Sequence, residues 1–564
     1  MRPINLIKRG KAAIAGLSLF ALTAGSALCA TPDDVGLLIE AQLGEAGRQI
    51  PVLVEGEQTP LSTMRNLFYR GRAFRPAWSS GHRPTLQAEQ LLDAIGEAEM
   101  DGLRAEFYKA AEIKALIAKL DLAVSSGRLA DTDSLAGLDL LLTESFLRYS
   151  YDLIAGRVNP ATIEGEWADN TWETDLHRTL EKAIRSGNLK ELISSLPPPH
   201  PGYEELKAEL ATYREIAQRG GWPGIPTGRL MAEGSRGRRV ALLKERLIVT
   251  GDLYPENEGT SRLFDDSLSD NVAWFQARHG LEADGIVGEM TLEALNVPVE
   301  ERIRQMELNL ERWRWLPYDF GERYIMVNSA DFSLSVFDKR EEVMTMRIIV
   351  GKPFWHTPSF SSTMTRLIFN PSWTATPAIV VEDLLPKVME DHGYLERLGF
   401  VVYRGWGKDA EEVDPYKVDW REVKEEELDY RFTQLPGPLN PLGRLKFIFQ
   451  NPFDVYMHDT TRKDYFFEPV RTFSHGCIRL EEPFMLAKYL LGDKPGWTSD
   501  KIVEAVESGE KLTVQLPGDV EVHLLYWTAW VDVEGTLQFR SDIYDRDSQL
   551  NEALLGEITH EDLP

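Results

Sequence analysis

The chain has 564 residues, a formal charge of -27 at neutral pH, 43% hydrophobic and 27% charged residues. At about one domain per 150 residues the length implies three or four folded units, and the apolar content argues against wholesale disorder. The acidity argues against nucleic acid, whose phosphates need clustered Lys and Arg; the short basic run of Arg236, Arg238 and Arg239 reads as a solvated turn.

At the N-terminus, Arg2, Lys8, Arg9 and Lys11 precede an apolar run from Ala12 to Ala24 and then small residues through Ala30. This is the layout of a secretory signal, cleaved after Cys29 or Ala30. An uncleaved inner-membrane anchor is the weaker alternative, because the run is short for a span and rich in Ala and Gly. Of the two cysteines, Cys29 lies in this segment, so the exported chain keeps Cys477 alone. An unpaired thiol in an oxidising compartment is either buried and inert or retained for its reactivity.

Residues 31–230 show helical periodicity, as in Leu91, Leu92 and Ile95, or Leu135, Leu138, Leu142 and Phe146. A helical scaffold is expected, with no chemical constellation in it. Pro197 to Pro199 and the Gly and Pro cluster at 220–228 read as breaks. Residues 231–297 predict three short helices, with Val240, Leu243 and Leu247 on one face and Phe264, Leu268, Val272 and Phe275 on another. Phe275, Gln276, the His279-Gly280-Leu281 turn, Asp284, Gly285, Gly288 and Thr291 resemble the recurring phrase of the small peptidoglycan-binding domain. The resemblance implies glycan or stem-peptide binding; a plain spacer module is the alternative.

A linker helix at 298–322 contains Glu311-Arg312-Trp313-Arg314-Trp315. The period then falls to two, at Ile325 and Val327, Phe332 to Val336 and Met344 to Val350, and a mainly β domain is expected over 323–540. Within it, 374–442 turns acidic, with Glu411, Glu412, Glu422 and Glu425 to Glu427, and reads as a helical insertion. It is either a lid over the active cleft or a solvated excursion. Residues 541–564 are left as a C-terminal tail.

The chemistry gathers around Cys477. Ser474-His475-Gly476-Cys477-Ile478-Arg479 follows Tyr456-Met457-His458-Asp459, with fifteen residues between His458 and Ser474. A thiol of ordinary pKa is only a few per cent thiolate at neutral pH, so a nearby imidazole is needed to take its proton. Gly476 lets the backbone approach closely, making the amides near Gly476 and Cys477 the expected oxyanion donors. Arg479 supplies positive charge to the thiolate or to a substrate carboxylate, unless it pairs with Glu481 or Glu482. His475 is expected on the oxyanion side rather than as the base. A zinc site built on these side chains is disfavoured, since one cysteine without paired-ligand spacing is a poor donor set.

The motif resembles the signature of the YkuD-type L,D-transpeptidase catalytic domain. The resemblance implies Cys477 as nucleophile, His458 as general base and acid, His475, Gly476 and Arg479 in oxyanion or substrate positioning, and Tyr456, Ser474 and Trp373 as substrate-binding residues. Arg312-Trp313-Arg314-Trp315-Leu316-Pro317, Asn370-Pro371-Ser372-Trp373 and Thr528-Ala529-Trp530-Val531-Asp532 further resemble the large YcbB-type enzymes of Gram-negative bacteria. The expected fold class is therefore α+β multidomain: an α-helical scaffold, a three-helix peptidoglycan-binding module, and a mainly β YkuD-type catalytic domain with an inserted helical lid. The implied reaction is attack on the L,D bond at the third residue of a tetrapeptide stem, with release of D-Ala. The amine of a second stem then resolves the thioester; water would make the same site a carboxypeptidase or endopeptidase. No cofactor or metal is implied, and carbapenems are expected to acylate the thiol. The implied partners are peptidoglycan stem peptides and glycan in the periplasm, with association with other cell-wall synthesis enzymes left open and inner-membrane contact only if the signal is uncleaved. One departure is Thr374-Ala375-Thr376-Pro377, where such relatives carry Asn-Val-Pro-Pro.

Overall fold

The computed structural model describes residues 32–48, 60–163, 175–254, 262–407, 409–423 and 428–556. The expected signal with Cys29, the run Glu425 to Glu427 and residues 557–564 lie outside these. Among the described residues no helix is long and apolar enough to cross a membrane.

The first unit is helical: α1 (Pro32–Arg48), α2 (Leu61–Gly71), a small hairpin of β1 (Ser79–Ser80) and β2 (Arg83–Pro84), α3 (Leu86–Gly96), α4 (Ala110–Ser125), α5 (Thr132–Ala155), α6 (Leu176–Ser186), α7 (Leu189–Ser194) and α8 (Pro201–Gln218). Its axis is α5, whose N-cap Asp131 accepts from the Ser134 N–H and whose Leu135, Leu138, Leu142 and Phe146 are buried. Asp139, fully buried on the same helix, accepts from the Ala77 and Trp78 amides (2.9 and 2.8 Å) and the Tyr69 hydroxyl (2.9 Å), tying the hairpin and α2 to α5.

The second unit packs α9 (Arg238–Val249), α10 (Asp266–Arg278) and α11 (Glu289–Asn296) around Val240, Leu243, Leu247, Phe264, Leu268, Val272 and Phe275. Its motif residues hold each other. The Gln276 amide donates to Asp284, the Ile286 carbonyl and Thr291, while its oxygen accepts from the Gly285 N–H. His279 is buried between Phe275 and Phe539, at 3.8 and 5.4 Å between ring centroids, and so serves the junction with the third unit. Arg540 crosses that junction, donating to Asp331 (2.6 Å) and to the Arg278 carbonyl (3.1 Å).

Helix α12 (Val299–Arg314) joins all three units, and Trp313 stacks on Trp527 at 4.3 Å. Beyond it the strands are β3 (Arg323–Asn328), β4 (Ser333–Asp338), β5 (Glu341–Gly351), β6 (Phe360–Phe369), β7 (Trp373–Thr374), β8 (Phe400–Arg404), β9 (Glu411–Val413), β10 (Tyr430–Gln434), β11 (Leu445–Phe449), β12 (Met457–His458), β13 (Thr472–Ser474), β14 (Ile478–Leu480), β15 (Leu512–Leu525), β16 (Ala529–Val531) and β17 (Leu537–Phe539). The main sheet runs β13-β5-β14-β12-β11-β6-β15-β3-β4, and the further β4–β5 pairing closes it on itself. Ile325, Val327, Leu334, Val336, Leu367, Leu445, Phe447, Met457, Ile478, Val522 and Leu524 fill the interior. Helices α16 (Pro483–Leu491) and α17 (Ser499–Glu507) pack against the same core.

The insertion is mixed rather than helical. It forms a four-stranded antiparallel sheet, β7-β10-β8-β9, flanked by α13 (Pro377–Ile379), a π turn at Val380–Leu384, α14 (Leu385–Glu390) and α15 (Tyr394–Arg397). Its glutamates suggested helix. The alternation at Phe400, Val402 and Phe432 wins instead, because those side chains bury with Val388, Leu395 and Trp420 in a core of their own. The expected tail is also structured in part: α18 (Arg546–Leu555) buries Leu550 and Leu554 beside α12.

Candidate active site

Strand alternation decides which side chains meet. Leu445, Phe447, Met457, Ile478 and Leu480 point into the core, so Lys446, His458 and Arg479 fall on the opposite face. Register brings them together, with Lys446 directly across from His458 and His458 beside Arg479 in the parallel β12–β14 pair. Tyr456 and Cys477, one residue before each partner of the Met457–Ile478 pair, extend the same row.

Cys477 is half-buried and free of any disulfide. Its neighbourhood is crowded: burial pushes the thiol pKa up, against the pull of the Tyr456 N–H, Lys446, the Tyr456 hydroxyl and Arg479. The sulfur lies 3.9 Å from the Asp454 carbonyl oxygen, and no hydrogen bond joins it to the His458 ring. His458 is buried and donates from Nδ1 to the Asp459 carbonyl, which leaves Nε2 as the acceptor. Burial first, then the charges of Arg479, Lys446 and Lys463, bring its pKa down to about 3.

Asp459 fixes the loop behind that histidine. Its carboxylate accepts from the Arg444 N–H (2.8 Å) and the Thr460 N–H (2.7 Å) and pairs with Lys463 at 3.0 Å.

The turn before the cysteine is pinned from within. The Ser474 hydroxyl donates to the Cys477 carbonyl (2.5 Å) and accepts from the Gly476 N–H (3.1 Å). Ser474 is buried with its hydroxyl engaged inside the loop, and the Gly476 N–H is already paired with it. Gly476 itself needs its left-handed φ of 104°. The Cys477 N–H makes no hydrogen bond among the described residues and remains to donate. The His475 ring lies against Trp355 at 4.4 Å; burial and Lys352 lower its pKa, while Asp383 and Glu382 of the insertion oppose them.

Arg479 does not pair with Glu481, which is bound by Arg347. Its Nε is buried without a partner, and burial lowers its pKa. Tyr456 faces His458 at 5.7 Å, with burial raising its hydroxyl pKa. Trp373 sits apart, half-buried and edge-on to Phe400 in the core of the insertion. Lys446 escaped the sequence reading: its ammonium lies 3.4 Å from the Tyr456 ring centroid, and burial lowers its pKa. The only available signal was a lysine at a polar position of a strand. Among the described residues no group of three or more His, Cys, Asp or Glu side chains is placed to hold a metal ion.

Three family models match the chain: "Scaffold domain" over residues 65–210, "Putative peptidoglycan binding domain" over 236–295 and "L,D-transpeptidase catalytic domain", the YkuD family, over 322–507. A curated relative from Haemophilus influenzae, named "Putative L,D-transpeptidase", is 29% identical over 302 residues, which is 53% of this chain and 60% of that protein. The chain thus spans less than two thirds of the length of this relative. A crystal structure of the L,D-transpeptidase (residues 123-326) from Xylanimonas cellulosilytica is 15% identical, covers 53% of this chain and 99% of its own, and superposes with a TM-score of 0.17, too low to compare details. The three matches fall on the three structural units, and the L,D-transpeptidase catalytic-domain match encloses His458 and Cys477.

Proposed function

We propose that the protein is a periplasmic L,D-transpeptidase that cross-links peptidoglycan stems through the third residue of each. The observation that carries this reading is the row of Cys477, Tyr456, His458, Arg479 and Lys446 on one face of the sheet, inside the catalytic-domain match.

In this mechanism the Cys477 sulfur attacks the carbonyl of the L,D bond between the third and fourth residues of a tetrapeptide stem, and its proton passes to Nε2 of His458. The carbonyl oxygen gains the charge and is met by the Cys477 N–H. Collapse breaks the C–N bond; the leaving D-Ala amine takes the proton from His458 and a thioester remains. The side-chain amine of a second stem attacks the thioester, gives up a proton, and leaves with the acyl group while the thiol is restored. Arg479, cationic and with an unpaired Nε, suits a stem carboxylate.

The test is to incubate the purified chain with tetrapeptide-bearing muropeptides and weigh the products. Cross-linked dimer with loss of D-Ala is expected. Tripeptide without dimer would replace the reading by a carboxypeptidase. Cys477→Ala should abolish either product while leaving sacculus binding intact, and retained turnover would remove Cys477 from the mechanism.

A further inference from the structure

The Gly476–Cys477 peptide is held from behind. Thr357, buried in the segment between β5 and β6, donates its hydroxyl to the Gly476 carbonyl at 2.9 Å and accepts from the Gly351 N–H at 3.0 Å. A trans peptide points its C=O and N–H in opposite directions. Anchoring the Gly476 carbonyl to Thr357 therefore aims the Cys477 N–H away from it, into the space where an attacked carbonyl must place its oxygen. Ser474 secures the flanking groups, so this N–H is the donor the turn leaves open.

Thr357 is itself held by residues beyond the catalytic-domain match, which ends at 507. The Tyr544 hydroxyl donates to the Gly351 carbonyl at 2.6 Å and receives the Thr357 N–H at 3.5 Å. Arg546, at the start of α18, donates to the Thr357 carbonyl at 3.0 Å and to Ser359 at 2.9 Å. Gly351 leaves no room to rearrange, since a Cβ there would stand 1.9 Å from the Trp355 carbonyl oxygen.

We propose that Thr357, clamped by Tyr544 and Arg546 of the C-terminal segment, is the positioning residue that orients the Cys477 N–H as an oxyanion donor. This rests on the reading of Cys477 as an acyl-accepting nucleophile. Thr357 touches no reacting atom and acts through the peptide it anchors.

The test compares two reactions of the same sulfur in the full-length chain, each corrected with Cys477→Ala. Acylation by p-nitrophenyl acetate forms a thioester through a tetrahedral oxyanion and releases p-nitrophenolate. Alkylation by iodoacetamide displaces iodide directly and forms no oxyanion. Thr357→Val should slow acylation at least about tenfold and leave alkylation within about twofold, because losing an oxyanion donor outright costs about 100- to 1,000-fold and misaiming it costs up to about 100-fold. Thr357→Ser should restore acylation to within about threefold. Tyr544→Phe, which removes only a hydroxyl, should slow acylation selectively and carries the test if Thr357→Val does not fold. Wild-type acylation in these variants, or an equal fall in both reactions, would overturn the proposal. A wild-type chain that is alkylated but never acylated would remove the nucleophile reading beneath it, and the proposal with it.

Discussion

A thiolate–imidazolium pair forms at rest only where the imidazole is the stronger base, and at this site the order is reversed. Burial and three cations lower His458 to about 3, while burial raises Cys477. The resting pair is neutral, so in the proposed mechanism the proton moves only as substrate arrives. Alkylation of the free protein should then rise about tenfold per pH unit from pH 6 to 8; a plateau in that range would reveal a resting ion pair. Lys446 supplies part of what the imidazole does not. Among the described residues it forms no ion pair with a carboxylate, and its charge favours the Cys477 thiolate. Lys446→Met should slow alkylation at pH 7 by about three- to tenfold and Lys446→Arg should recover most of it; an unchanged rate in Lys446→Met would deny the lysine this role.

Helix α12 has the largest consequences among the elements. Its Glu311, buried at 1% exposure, accepts the Val158 N–H at 2.9 Å and the Arg314 guanidinium at 2.8 Å, joining the scaffold to the linker. Glu311→Ala would take the carboxylate partner from Arg314, itself 1% exposed, and leave it, among the described residues, only the Asp101 carbonyl and the Tyr203 hydroxyl. Removing one partner of a buried pair costs about 3–5 kcal/mol, so urea unfolding should shift to markedly lower midpoint, and an unshifted midpoint would contradict this account. The insertion is a second such element: its Glu382 and Asp383 reach the electrostatic surroundings of His475, although its core is separate from that of the barrel.

Across the whole molecule, the buried histidines of the barrel and the buried aspartates of α5 respond to pH in opposite directions. In the catalytic domain His458 and His523 have pKa values lowered, to about 3 and about 4, chiefly by burial. The unfolded chain binds those protons near pH 6.5 and the folded one does not, so their stabilisation is complete above pH 6.5 and is lost as pH falls. In the scaffold burial raises Asp139 to about 6 and Asp152 to about 7, above the unfolded value of 3.8. Their contribution is complete at low pH and is lost as pH rises through 6 to 7. Hydrogen exchange between pH 4.5 and 7.5 should show protection increasing in the barrel strands while it decreases around α5. A parallel trend in both units would contradict the assignment.

Much of this was legible along the chain because it is local or periodic. The period-2 runs at Ile325 to Val327 and Leu445 to Phe449 are strands because one pleated face must bury, and the Ser474–Arg479 phrase is short enough to read directly. Other features depend on residues far apart in sequence. Lys446 reaches the site only through its pairing with β12, and Thr357 reaches Gly476 across 119 positions. The strands of the insertion were hidden by the acidic run around them, of which only Glu411 and Glu412 lie in a strand, and α18 by its shortness. Sequence alone determined the secondary-structure periods and singled out Cys477 as the proposed nucleophile, since both follow from side-chain type and spacing. Only the tertiary structure decided which amide is free, which cation faces the thiol and what holds the turn, because hydrogen-bond partners and burial are set by strand register and chain closure.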